Sequence, residues 1–205
     1  FDFKSLYPSM MKTSNIGHES LMYEDDGKCI INPGTNELPR KSEQMKPTFF
    51  AKEKSTIFLA ISDLIDKRKE YKKKKFQLVE DGKNDGPEWE SAVSNEIIVK
   101  ELSNSTYGIM GLEYGRYFSI DIAESITLFG QWMILNAKNF FDSQGHKAIY
   151  GDTDSIFVAT EDVMDVQDML NKYHEYLAKH LKEKYRIDES FIELEFDKEY
   201  DGFIL

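Results

Sequence analysis

The sequence predicts an α+β fold: one mainly antiparallel sheet with helices on one face, and a long helical hairpin inserted between its strands. Three observations predict it. Strand-like alternation occurs near both ends, over 1–9 and 190–196, and a β-rich stretch at 146–160 surrounds a Gly-Asp turn. Two long helical patterns, 53–80 and 88–107, flank the polar break Asp81-Gly82-Lys83-Asn84-Asp85-Gly86-Pro87. Strands from the two ends then meet in one sheet, with the hairpin as an excursion from it.

The elements follow in order. Residues 1–9 alternate apolar and polar, then turn at Pro8 into a helix start. Residues 20–50 carry turn signals at Asp25-Asp26-Gly27, Asn32-Pro33-Gly34 and Pro39, and are expected to be the least structured part. The second hairpin helix is expected to stop at Gly108 and Gly111. Further helices are expected over 121–141 and 163–185. The alternation at 190–196 and the apolar run at 202–205 predict closing strands.

At 205 residues and 40% hydrophobic content, the chain can bury a core. It begins with Phe1 rather than Met, and residues 1–9 are already motif-like, so it reads as a piece of something longer. No stretch approaches the roughly 18 consecutive apolar residues of a membrane span, and no signal-peptide layout is present. Cys29 is the single cysteine, so there is no internal disulfide and no thiolate metal cluster; a reducing compartment fits. His18, His146, His174 and His180 lack metal-ligand spacing, which argues against zinc. The net charge of -11 argues against a backbone grip on nucleic acid. Two features oppose that inference: positive charge is dense over 67–75, and a site for divalent cations must itself be acidic.

Three acidic groups are candidates for such a site. Asp152 and Asp154 sit in a turn between apolar flanks, in Tyr150-Gly151-Asp152-Thr153-Asp154-Ser155. They are either an incidental acidic hairpin or ligands for a hard cation such as Mg²⁺, which takes carboxylate oxygens and keeps positions open for phosphate. Asp2, between Phe1 and Phe3, is either an edge residue or a ligand. Glu193, Glu195 and Asp197 alternate, which places them on one strand face, either solvated or functional.

The hairpin carries cations on an unexpected face. On a helical wheel Ile61 and Leu64 fall within about 40° of Ile57, and Arg68, Lys72 and Lys75 fall within about 60° of it. The buried stripe thus turns basic along its length. The alternatives are an exposed lysine-rich tip and a surface for a triphosphate, gripped by the Arg fork and Lys point charges. Lys100, Asn104 and Tyr107 share a face of the second helix, with Gly108 allowing close approach.

Together these segments resemble family B DNA polymerases. Asp2-Phe3-Lys4-Ser5-Leu6-Tyr7-Pro8-Ser9 is similar to the family's motif A, Lys100 through Asn104-Ser105-Thr106-Tyr107-Gly108 to motif B, and Tyr150 through Ser155 to motif C. Arg68-Lys69-Glu70-Tyr71-Lys72 is similar to the basic fingers segment. Leu194-Glu195-Phe196-Asp197 is a weaker likeness, and Ile126-Thr127-Leu128-Phe129-Gly130-Gln131 points to the T4-like bacteriophage branch.

The resemblance implies a polymerase palm with inserted fingers: 1–50 first palm part, 51–110 fingers, 111–205 second palm part, with exonuclease and thumb expected to lie outside the chain. It implies DNA-directed DNA synthesis with two Mg²⁺ ions, for which Mn²⁺ substitutes. Asp2 and Asp154 are the implied principal ligands, with the Phe3 backbone and Asp152 in support. Ser5, Leu6, Tyr7, Arg68, Lys72, Lys100, Asn104 and Tyr107 are the implied nucleotide-binding residues, with Tyr7 as steric gate against a 2′-OH and Asp197 as an outer acid. Implied partners are primer-template DNA, deoxynucleoside triphosphates, and a sliding clamp and replisome proteins reached through regions outside this chain. The cytoplasm of an infected host follows for a phage protein. The alternatives are a reverse transcriptase-like palm polymerase, which tends to carry adjacent acids where Thr153 intervenes here, and a catalytically silent nucleic-acid-binding remnant.

Overall fold

A computed structural model describes residues 1–39, 46–159 and 165–200. Its centre is a four-stranded antiparallel sheet. The strands are β1 (Asp2–Phe3), β5 (Lys147–Asp152), β6 (Ser155–Ala159) and β7 (Leu194–Glu195), in the order β5-β6-β1-β7. Strands from both ends of the chain therefore pair. Asp2 lies opposite Ser155 on one side and Glu195 on the other.

Alternation decides which face is buried. Phe3, Ile156 and Leu194 are almost fully buried, whereas Asp2 and Lys4 on β1's other face stay partly accessible. The apolar face packs on α5 (Ile120–Ser143) and α6 (Val166–Tyr185). Phe3 meets Tyr173 with ring centroids 6.2 Å apart, and Phe1 meets Phe141 at 4.9 Å. Each fully buried Phe or Met contributes about 1.5–3 kcal/mol. Ser119 caps α5, accepting from the Ile122 N–H, and Asp121 in the first turn complements the helix dipole.

The hairpin consists of α3 (Thr56–Glu80) and α4 (Pro87–Gly111). Ser55 caps α3 by accepting from the Phe58 N–H at 3.1 Å. At the tip Gly82 and Gly86 take φ of 70° and 86°, which favours glycine, and Pro87 opens α4. The helix does not stop at Gly108. A mid-helix glycine costs roughly 1 kcal/mol, and tertiary contacts on either side outweigh it: Tyr107 packs on Tyr7 and Met110 is buried.

Two further expectations need correction. The first helix, α1 (Leu6–Thr13), begins before Pro8 rather than after it. Pro8 falls in the first turn, where its missing N–H has no intrahelical partner to lose. Within 20–50 the described residues, 20–39 and 46–50, are not irregular throughout. They form β2 (Leu21–Met22), β3 (Ile30–Ile31), α2 (Pro33–Glu37) and β4 (Phe49–Phe50), with sheet order β2-β4-β3. Strands of two residues leave no periodic trace. Buried polar bonds hold the unit: Asn32 caps α2 through Thr35 N–H and donates to the Ser125 carbonyl, and the Thr35, Thr48 and Ser125 hydroxyls form a chain with links of 2.8 Å. The closing strand at 190–196 shrinks to Leu194–Glu195, and the run at 202–205 lies outside the described residues.

Candidate active site

The β5–β6 hairpin turns through Thr153 and Asp154, with Asp152 paired to Ser155. Thr153 has φ 47°, uncommon for a β-branched residue. Its hydroxyl donates to Asp152 Oδ1 at 3.2 Å, and Ser155 Oγ donates to the Asp152 carbonyl at 3.1 Å. The turn docks on β1: the Phe3 N–H donates to the Asp154 carbonyl at 2.7 Å, and the Ile156 N–H donates to the Phe1 carbonyl at 2.9 Å. Two aspartates distant in sequence are thereby brought to neighbouring segments, Asp2 on β1 and Asp154 in the turn docked on it.

Their charges interact. The Asp2 carboxyl is held above the usual carboxylate range, first by burial, then by the charges of Asp154, Asp197 and Glu195. Asp2 also faces Glu195 directly across the β1–β7 pair, an arrangement of like charges that destabilises a sheet. Lys4 relieves part of it, lying 3.0 Å from both Glu193 and Glu195. The donor set fits a hard divalent cation: carboxylate oxygens from two strands, with charge repulsion that a cation would remove.

Between α1 and α3 lies a basic trough of about 250 Å³. Ser5, Arg68, Lys69, Lys72 and Ser103 line it. Arg68 Nη1 donates to Ser5 Oγ at 2.5 Å, while its buried Nε has no acceptor. The cations of α3 divide by face. Lys67, Lys74 and Lys75 are paired with Asp63, Glu88 and Glu96. Arg68, Lys69 and Lys72 have no ion pair among the described residues. Unneutralised cations and an orphaned donor around one trough suit an anion.

On the other side of α1 a wider cavity of about 530 Å³ joins Tyr7, Gly130, Gln131, Gly151 and Thr153. Tyr7 packs against Tyr107 with centroids 4.8 Å apart. Its hydroxyl pKa is raised by burial, then by Tyr107 and by the charge of Asp154. Gly130 gives the Tyr7 ring room, since a Cβ there would lie 3.3 Å from Tyr7 Cε1.

A family model described as "DNA polymerase family B" matches residues 1–205. The chain belongs to DNA polymerase family B. It is 33% identical over 178 residues to the DNA polymerase of Archaeoglobus fulgidus, covering 86% of this chain and 21% of that protein. It is 31% identical over 206 residues to DNA polymerase 1 of Sulfolobus acidocaldarius, covering 97% and 20%. The DNA polymerase delta catalytic subunit of Glycine max is 29% identical over 217 residues, covering 100% and 19%. The chain thus spans about a fifth of the length of the curated relatives it matches. The structure of the family B DNA polymerase from the hyperthermophilic archaeon Pyrobaculum calidifontis superposes with a TM-score of 0.61 at 22% identity, covering 91% of this chain and 22% of that one. That likeness shows a shared fold.

Within this family B chain the fold joins some of the expected site residues and separates others. Tyr7 and Tyr107 come together, as do Ser5, Arg68 and Lys72, and the charge of Asp154 acts on both Asp2 and Tyr7. Leu6 is buried behind Ser5, so only its backbone is available. Asp2, Asp152 and Asp154 do not close into a three-acid group among the described residues, and Asp152 is not among the charges acting on Asp2. Asp197 does act on Asp2, although it lies past the end of β7. Lys100 and Asn104 are exposed on α4 and do not line the trough; Ser103 between them does, at 4% exposure. Ser103, Lys4, Ser9 and Lys12 were missed by sequence reasoning. Ser9 and Lys12 share a helical face, which the spacing contained. A cluster of Asp25, Asp26 and Cys29 is already committed, because Arg186 grips both Asp25 oxygens.

Proposed function

We propose that the chain is the palm and fingers of a DNA-directed DNA polymerase that extends a primer 3′ end with deoxynucleoside triphosphates. Residues 1–50 and 111–205 form the palm and 51–110 the fingers in this reading. The observation that carries it is the docking of the Asp154 turn on β1 next to Asp2, where the charge of Asp154 acts on the Asp2 carboxyl, together with a trough of cations that have no ion pair among the described residues.

Asp2 and Asp154 would hold two Mg²⁺ ions, with the Phe3 backbone and Asp152 in support. When bound, such ions acidify the primer hydroxyl and neutralise the leaving pyrophosphate. The chain's own residues do the rest. Arg68 and Lys72 bind the triphosphate, with Lys100 reaching it from α4 as the hairpin closes. Ser5 and the Leu6 backbone orient its β and γ groups, and Ser5 holds Arg68 in place beforehand. Tyr7, braced by Tyr107 and Gly130, excludes a ribose 2′-OH. Asn104 and Tyr107 shape the pocket for the nascent pair, and Asp197 acts as an outer acid.

Primer-template DNA is the partner in this reading, with a clamp and replisome proteins engaging other regions of the full-length protein. A phage origin, and with it the host cytoplasm, rests on the Ile126–Gln131 segment alone. Extension assays with the full-length protein test the function. DNA-templated incorporation that far exceeds RNA-templated incorporation supports it; a preference for RNA templates, or no templated extension with Mg²⁺ or Mn²⁺, contradicts it.

A further inference from the structure

The basic trough continues past the part that would hold the triphosphate. Ser5, which precedes α1, and Ser9 and Lys12 on α1 line one side of it. Ile65, Arg68, Lys69 and Lys72 supply the facing stripe of α3. The helices run antiparallel here, because Arg68 meets Ser5 while Lys12 reaches Phe58 near the start of α3. One end of the trough thus lies at Ser5, Arg68 and Lys72, the groups proposed to hold the triphosphate. The other ends at Lys12, Ser190 and Phe191.

The far end is chemically distinct. Lys12 Nζ lies 4.0 Å from the Phe191 ring centroid and 5.7 Å from that of Phe58, and has no ion pair among the described residues. A cation held only by ring faces keeps its charge available, since cation–π attraction is weaker than a charge-assisted hydrogen bond. The one acid on the wall, Glu193, is tied to Lys4. Ser190 adds a hydroxyl, while that of Ser9 donates to the Lys4 carbonyl at 3.1 Å. At about 250 Å³ the trough falls below the roughly 300–1,000 Å³ of sites that enclose a whole organic ligand. A small inorganic polyanion fits; a base and sugar do not.

We propose that this trough is the exit path of pyrophosphate, with Lys12 as its receiving cation. The proposal rests on the polymerase reading. In that reaction the primer 3′ oxygen bonds to the α-phosphorus and its proton passes to solvent. The α–β anhydride bond breaks, and pyrophosphate leaves with that bond's electron pair. It then moves along the trough from Arg68 towards Lys12, drawn by a cation with no carboxylate partner among the described residues.

The test uses the full-length polymerase with Lys12→Met, which keeps the stem and removes the charge, and Lys12→Arg. Single-turnover incorporation gives the half-saturating deoxynucleotide concentration, and the reverse reaction gives that for pyrophosphate. For Lys12→Met the pyrophosphate value should rise about tenfold, the scale of one lost charge-assisted contact, with the deoxynucleotide value within about twofold; Lys12→Arg should restore it. An unchanged pyrophosphate value overturns the proposal. So do parallel rises in both values, or loss in Lys12→Arg alongside a lowered melting temperature, which would mark a structural clip. Failure of the polymerase reading is distinct: the unsubstituted protein would incorporate nothing.

Discussion

Asn15→Ala should loosen the base of the helical hairpin. Asn15 follows α1 with φ 50° and is 4% exposed. Its Nδ2 donates to the carbonyls of Ala51 at 2.6 Å and Glu53 at 2.5 Å, and its Oδ1 accepts from the Ser55 N–H at 2.9 Å. Ser55 is the cap of α3, so one side chain ties α1 to the hairpin's entry. Three hydrogen bonds at about 1 kcal/mol each give about 3 kcal/mol. A left-handed backbone without the Asn side chain adds roughly 1–2 kcal/mol. The total, about 4–5 kcal/mol, is a large share of the 5–15 kcal/mol typical of a domain. Urea unfolding of the purified protein measures it, with Asn15→Gly as partner variant: glycine loses the bonds but not the backbone term, so it should cost about 1–2 kcal/mol less than alanine. A loss below about 1 kcal/mol for Asn15→Ala would refute the tether.

Other positions make separate predictions. Gly34→Ala should prevent accumulation of folded protein, because a Cβ there would sit 2.2 Å from the Leu128 carbonyl carbon, where α2 meets the α5 backbone; recovery of soluble protein with an unchanged melting temperature would contradict it. Gly130→Ala should push the Tyr7 ring and change the ratio of ribonucleotide to deoxynucleotide incorporation, while Tyr7→Ala should admit ribonucleotides outright; unchanged sugar discrimination in both removes Tyr7 from the gate role. Because the Asp2 carboxyl pKa is raised, its stabilising effect is greatest in acid and declines as pH rises from the ordinary carboxylate range through its own pKa. Metal-free Asp2→Asn should therefore melt above the unsubstituted protein at neutral pH, and Mg²⁺ should narrow that gap; equal melting across pH would argue against the charge conflict.

Legibility in the sequence followed the range of the interactions. The long helices and the β5–β6 hairpin were readable because periodicity and the glycine-rich break at 81–87 are local signals. The pairing of β1 with β7 followed from strands at both ends seeking one sheet. The unit at 20–50 was not readable, because its strength lies in contacts such as Asn32 to Ser125, 93 residues apart. Asp152 and Asp154 look equivalent as letters, but only docking on β1 separates them. Lys72 and Lys75 share a wheel position within about 60°, yet Glu96 of α4 takes Lys75 and leaves Lys72 to the trough.

The central claim is that Asp2 and Asp154 act together as the ligands of a catalytic metal pair. Mg²⁺-dependent single-turnover incorporation by the full-length protein carrying Asp154→Asn tests it most directly. Incorporation should fall by several orders of magnitude, with melting temperature unchanged or raised. A near-normal rate in a folded Asp154→Asn protein would contradict the account.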